Sequence, residues 1–180
     1  MMKIVHDGYW TAEADYRIPA PYCREIGRII VRWAYLEDLI QYIVWDLLHL
    51  DEAYGRLAVR DPRITDRLNM VRDLAALRKS AIDSKEFKFI YDQAERLATL
   101  RDHVAHGIWM KAPDGEWKIE RTRGFHPKDV SPEKLSRRIE PDALHADLNG
   151  LRSIVAGIDA LISKIQPIYT RVHEARPRPA

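Results

Sequence analysis

The chain holds one cysteine, Cys23, in 180 residues. A single thiol excludes an intramolecular disulfide and a zinc site built on cysteines. An excess of one charge is also missing: 29 Lys+Arg against 27 Asp+Glu leave a net charge of +2. A dedicated clamp for duplex DNA carries a larger positive excess, so composition disfavours that class and leaves only a local basic patch. No long apolar run is free of charges. The most apolar stretch, residues 29–50, contains Arg32, Glu37, Asp38 and Asp46. Each is costly in lipid, so the stretch is a poor membrane span. The first ten residues lack a basic segment followed by an apolar one. No internal repeat or low-complexity tract is present. These absences together point to a reducing, cytoplasmic setting.

What remains is ordinary for a globular protein: 46% apolar and 31% charged residues. At about 150 residues per domain the length gives one domain. Such a domain buries about 70% of its unfolded surface and needs no covalent staples.

Residues 1–21 read as an N-terminal arm, because Pro19 and Pro21 disfavour helix before them. From about Tyr22 to Leu50 apolar residues recur at steps of three and four, from Ile26 through Ile29, Trp33, Leu36, Ile40 and Ile43 to Leu47. Asp51 and Gly55 mark a loose connection. A second helix is expected over about 63–79, with Asp61 as N-cap and Pro62 at the first helical position. Arginines gather from Arg56 to Arg78, but interleaved Asp61, Asp66 and Asp73 make a salt-bridged solvated face the expected account.

A third helix starts near Ser84 as N-cap and closes at Gly107. The period then changes. Residues 108–111 and 117–121 flank Pro113-Asp114-Gly115, a hairpin signal in which proline presets one dihedral and glycine accepts a positive φ. Residues 122–139 read as loop. A last helix is expected from Pro141 to about Ile165, followed by a frayed basic tail over 169–180. The fold class is therefore all-α: an antiparallel four-helix bundle over 22–168, with a β-hairpin inserted before the last long helix.

One segment carries chemistry: Arg101-Asp102-His103-Val104-Ala105-His106 at the end of the third helix. At about 100° per residue, Asp102 and His106 lie one turn apart on one face, and His103 falls on the same side. Arg101 lies about 140° away from His106, yet its long side chain reaches the same space near the helix end. Histidine suits acid–base work near neutral pH. Arginine presents a fork matched to phosphate. A carboxylate one turn from a histidine selects its tautomer. These are the parts that metal-free RNA cleavage needs: a base for the 2′-hydroxyl, an acid for the leaving oxygen, and a cation for the phosphorane.

The segment resembles the signature of the HEPN superfamily of helical domains, in which Arg, a polar residue, three further residues and His stand late in a bundle helix. The resemblance implies a metal-independent endoribonuclease with Arg101 and His106 as catalytic residues and Asp102 tuning them. It further implies RNA as substrate and a homodimer that brings two motifs together. A toxin or defence role with a restraining antitoxin or regulatory partner protein goes with it. Some members are non-catalytic modules that bind a nucleotide or a partner, which is the alternative reading.

Weaker candidates surround the motif. His103 is a substrate-binding candidate by its shared face. With His106 it makes two of the three or more ligands a metal needs, and no third is nominated, so neither a metal nor another cofactor is expected. Glu37 stands within the apolar surface of the first helix, placed to receive Arg101 or His106, although a solvated charge is the commoner state. Trp109, with Trp117, offers a ring on which a base stacks, although packing of the hairpin on the bundle is the commoner use.

Overall fold

The computed structural model describes residues 18–59, 63–80, 82, 84–111, 115, 117–121, 142–145 and 147–176. The expected arm thus lies almost wholly outside the described residues. The described chain is mainly helical: α1 (Ala20–Leu48), α2 (Glu52–Ala58), α3 (Ile64–Arg78), α4 (Ser84–His106) and α5 (Leu148–Glu174). Three short strands, β1 (Ile108–Lys111), β2 (Trp117–Arg121) and β3 (Asp142–His145), form an antiparallel sheet in the order β1-β2-β3.

The core follows from helical periodicity. On α1, Ile29, Trp33, Leu36, Ile40, Ile43 and Leu47 recur at steps of four and three, and all are buried. On α5 the buried set runs from Leu151 through Ile158 and Ile165 to Val172. The two stripes pack together, and α3 and α4 close the core with Ile64, Leu68, Val71, Phe87, Ile90, Leu97 and Val104. Each such side chain contributes about 1.5–3 kcal/mol by leaving water.

Several local expectations are corrected. The connection after Asp51 is a helix, α2, because the Asp51 carboxylate accepts the Tyr54 N–H at 3.0 Å and caps it. At the start of α3 the cap position is Arg63, whose carbonyl takes the N–H groups of Asp66 and Arg67. Asp61 and Pro62 lie outside the described residues. Helix α4 begins at Ser84 itself, one residue earlier than a Ser84 cap requires.

Residues 142–145 are a strand paired to β2, not the first turn of the last helix. Helix α5 starts later because Asp147 is its cap, accepting the Gly150 N–H. It also ends later. Ile168 and Val172 extend its buried stripe through Pro167 to Glu174, so residues 169–174 are helical where a frayed tail was expected. Pro167 forfeits its own N–H bond and crowds the carbonyl of Ser163, and the buried stripe beyond it keeps the helix in place.

Both α1 and α3 end in a left-handed residue that is not glycine, His49 at φ 59° and Lys79 at φ 53°. Arg78 on α3 also donates from Nε to the carbonyl of Leu47, 3.1 Å away, and so satisfies the end of α1.

Candidate functional site

The end of α4 is held by strands and by α1. Ile119 of β2 is fully buried in the core. The Val104 carbonyl, orphaned because the helix stops, takes the indole N–H of Trp109 on β1 at 3.2 Å. Tyr22, at the start of α1, meets the Trp109 ring edge-on at 6.3 Å and the Trp117 ring at 6.2 Å. Gly107 closes the helix by donating to the His103 carbonyl at 2.8 Å, without a left-handed φ. Trp109, a stacking candidate from sequence, is thus half-buried and committed through its indole N–H to the helix that carries the motif.

Arg101, Asp102 and His106 come together around one atom. Arg101 Nη1 lies 3.1 Å from Asp102 Oδ1 and 3.5 Å from His106 Nε2. The Arg101 side chain is 24% exposed and that of Asp102 39%, while His106 is open to solvent. A guanidinium has donors only. Its contact with Nε2 is therefore a hydrogen bond only while that nitrogen carries its lone pair and Nδ1 carries the proton. Arg101 Nε is buried and has no acceptor among the described residues. An unmet buried N–H of this kind costs about 1–3 kcal/mol.

His103 is turned inward and buried. Its Nδ1 donates to the Thr99 carbonyl at 2.8 Å, one turn back along the helix. The structure thus separates His103, in the core, from His106, at the surface. Glu37 is half-buried midway along α1, and its main-chain carbonyl accepts Arg67 Nη1 at 3.4 Å. No hydrogen bond or ion pair among the described residues joins its carboxylate to Arg101 or His106.

The arginines between 56 and 78 divide by use. Arg56 pairs with Glu52 and Arg72 with Asp73 on the surface, whereas Arg67 and Arg78 serve carbonyls of α1. Among the described residues no group of three or more His, Cys, Asp and Glu is gathered to hold a metal ion.

A second polar cluster was not anticipated. Asp46 of α1 is only 6% exposed; it accepts His173 Nδ1 at 2.9 Å and Arg176 Nη1 at 3.0 Å. Tyr169 stacks on the His173 ring at 5.4 Å, and Tyr42 stands 6.4 Å from Tyr169. The only signal in the sequence was an acid inside the apolar stripe of α1; the two bases that meet it follow 127 and 130 positions later. Both bases sit at the end of α5, where the helix dipole favours cations.

Searches among protein families, curated proteins and solved structures find no match to this chain. None of the described helices is long and apolar enough to cross a membrane.

Proposed function

We propose that this protein is a HEPN-type endoribonuclease that works without a metal, built on an antiparallel four-helix bundle with its β-hairpin beside the motif. The supporting observation is the convergence of Arg101, Asp102 and His106 at the open end of α4. In the reaction, His106 Nε2 takes the proton of an RNA 2′-hydroxyl. The 2′-oxygen forms a bond to the adjacent phosphorus, and the bond from phosphorus to the 5′-oxygen breaks. An acid returns a proton to that oxygen, a task for His106 of a second copy in a homodimer. The products carry a 2′,3′-cyclic phosphate and a 5′-hydroxyl. Arg101 holds the charge of the phosphorane, and Asp102 orients Arg101.

The test is incubation with total RNA in EDTA, beside Arg101→Ala and His106→Ala. The expected result is cleavage by the wild type, lowered at least about 100-fold by each substitution. Cleavage that survives His106→Ala overturns the assignment. The second reading, a module that binds a nucleotide or partner without turnover, has its own support: Arg101 sits against the nitrogen that a base must use. It predicts binding of a nucleotide or partner without turnover, and no cyclic-phosphate product from RNA.

A further inference from the structure

The same contact that favours the second reading has another meaning. Resting on the nuclease reading, we propose that Arg101 is a substrate-operated gate: it occupies His106 Nε2 until a phosphate oxyanion draws it away. Three observations carry this. Arg101 Nη1 lies 3.5 Å from His106 Nε2, so the donor stands on the lone pair that would accept the substrate proton. The same Nη1 lies 3.1 Å from Asp102 Oδ1, which gives the guanidinium a point about which to turn. Arg101 Nε is buried with no acceptor among the described residues, so the resting pose leaves one edge of the fork unused.

A phosphate accepts two parallel N–H bonds from such a fork. To present Nε to an incoming phosphate, the side chain must swing out of its buried position. That movement satisfies Nε and takes Nη1 off His106 in one step. Without a phosphate, the histidine stays covered. With it, the base is released where the 2′-hydroxyl arrives. No bond is made or broken in the gate; one hydrogen bond to nitrogen is exchanged for two to oxygen.

The experiment follows the His106 Nε2 resonance by nitrogen NMR in full-length protein carrying labelled histidine. The probe is inorganic phosphate, against sodium chloride at equal ionic strength, at a pH where the His106 ring is neutral by its own titration. Phosphate should move the wild-type signal to the position it holds in phosphate-free Arg101→Gln. The signal in Arg101→Gln should not respond. Arg101→Ala serves as a second variant if the first does not fold.

A wild-type signal that already matches Arg101→Gln before phosphate is added overturns the gate. So does a phosphate response that persists without the arginine, or no response at all. The nuclease reading fails separately. Cleavage that depends on Arg101 and His106, with an unmoved signal, overturns the gate alone. A moving signal in a protein that cuts no RNA shows phosphate drawing Arg101 off His106, but overturns the nuclease reading and with it the gate's role in catalysis.

Discussion

Tyr169 shows how much one residue's surroundings change its chemistry. Its ring lies between His173 and Tyr42, and burial, with Asp46, Tyr42 and Tyr35 nearby, pushes the phenol above its ordinary value of 10.0. Burial disfavours the charged form. Above pH 10 the unfolded chain therefore loses this proton before the folded one does. The contribution to stability is complete below pH 10 and falls as pH rises past it. Urea denaturation between pH 9 and 11 should show a loss of stability that is smaller in Tyr169→Phe; equal slopes in the two proteins would contradict this. The motif residues teach a related lesson about legibility. Helical spacing placed Asp102 near His106 and gave Arg101 the reach to join them, because side-chain length and a turn of about 100° are local properties. Spacing also put His103 on that side. It did not show that His103 faces inward, because the core behind α4 is made by distant residues.

The elements differ in how much of them their own residues reveal. Helices α1, α3, α4 and α5 each carry an apolar repeat long enough to be recognised. Helix α2 has seven residues and no repeat. Its logic is a contact: a Cβ at Gly55 would lie 2.6 Å from the Trp45 ring, so only a bare backbone fits against the indole. Gly55→Ala is accordingly expected to destabilise by about 1–3 kcal/mol through overpacking. Helix propensity alone would stabilise by about 1 kcal/mol, so the sign of the change in a urea melt followed by tryptophan fluorescence decides between them. Strand β3 was equally hidden, because it exists by pairing with β2 across residues 122–141. Gly115 was not hidden: it stands at φ 87°, the left-handed conformation that Pro113-Asp114-Gly115 requires.

At the scale of the whole molecule, the two polar clusters lie at the ends of different helices. Arg101, Asp102 and His106 finish α4, whose end is tied at Val104 to Trp109 of the sheet and through that ring to Tyr22 at the start of α1. Asp46, His173 and Arg176 tie the end of α5 to the end of α1. The second cluster is a clasp between distant parts of the chain. Asp46→Ala should lower stability by about 1–2 kcal/mol, discounted because His173 and Arg176 are partly in water and rehydrate. The amides of the last turn of α5 should then exchange hydrogen faster, with the amides of α4 unchanged; faster exchange throughout would mean that the cluster supports the entire core.

More of α1's contacts are with α5 than with any other element. A hundred positions separate the end of α1 at Leu48 from the start of α5 at Leu148. A ribosome adding roughly 5–20 residues per second leaves the apolar side of α1 without its main partner for about 5–20 s. During synthesis, α4 and its motif therefore emerge onto an unfinished scaffold. The nascent chain closes the apolar side of α1 only after α5 has been delivered.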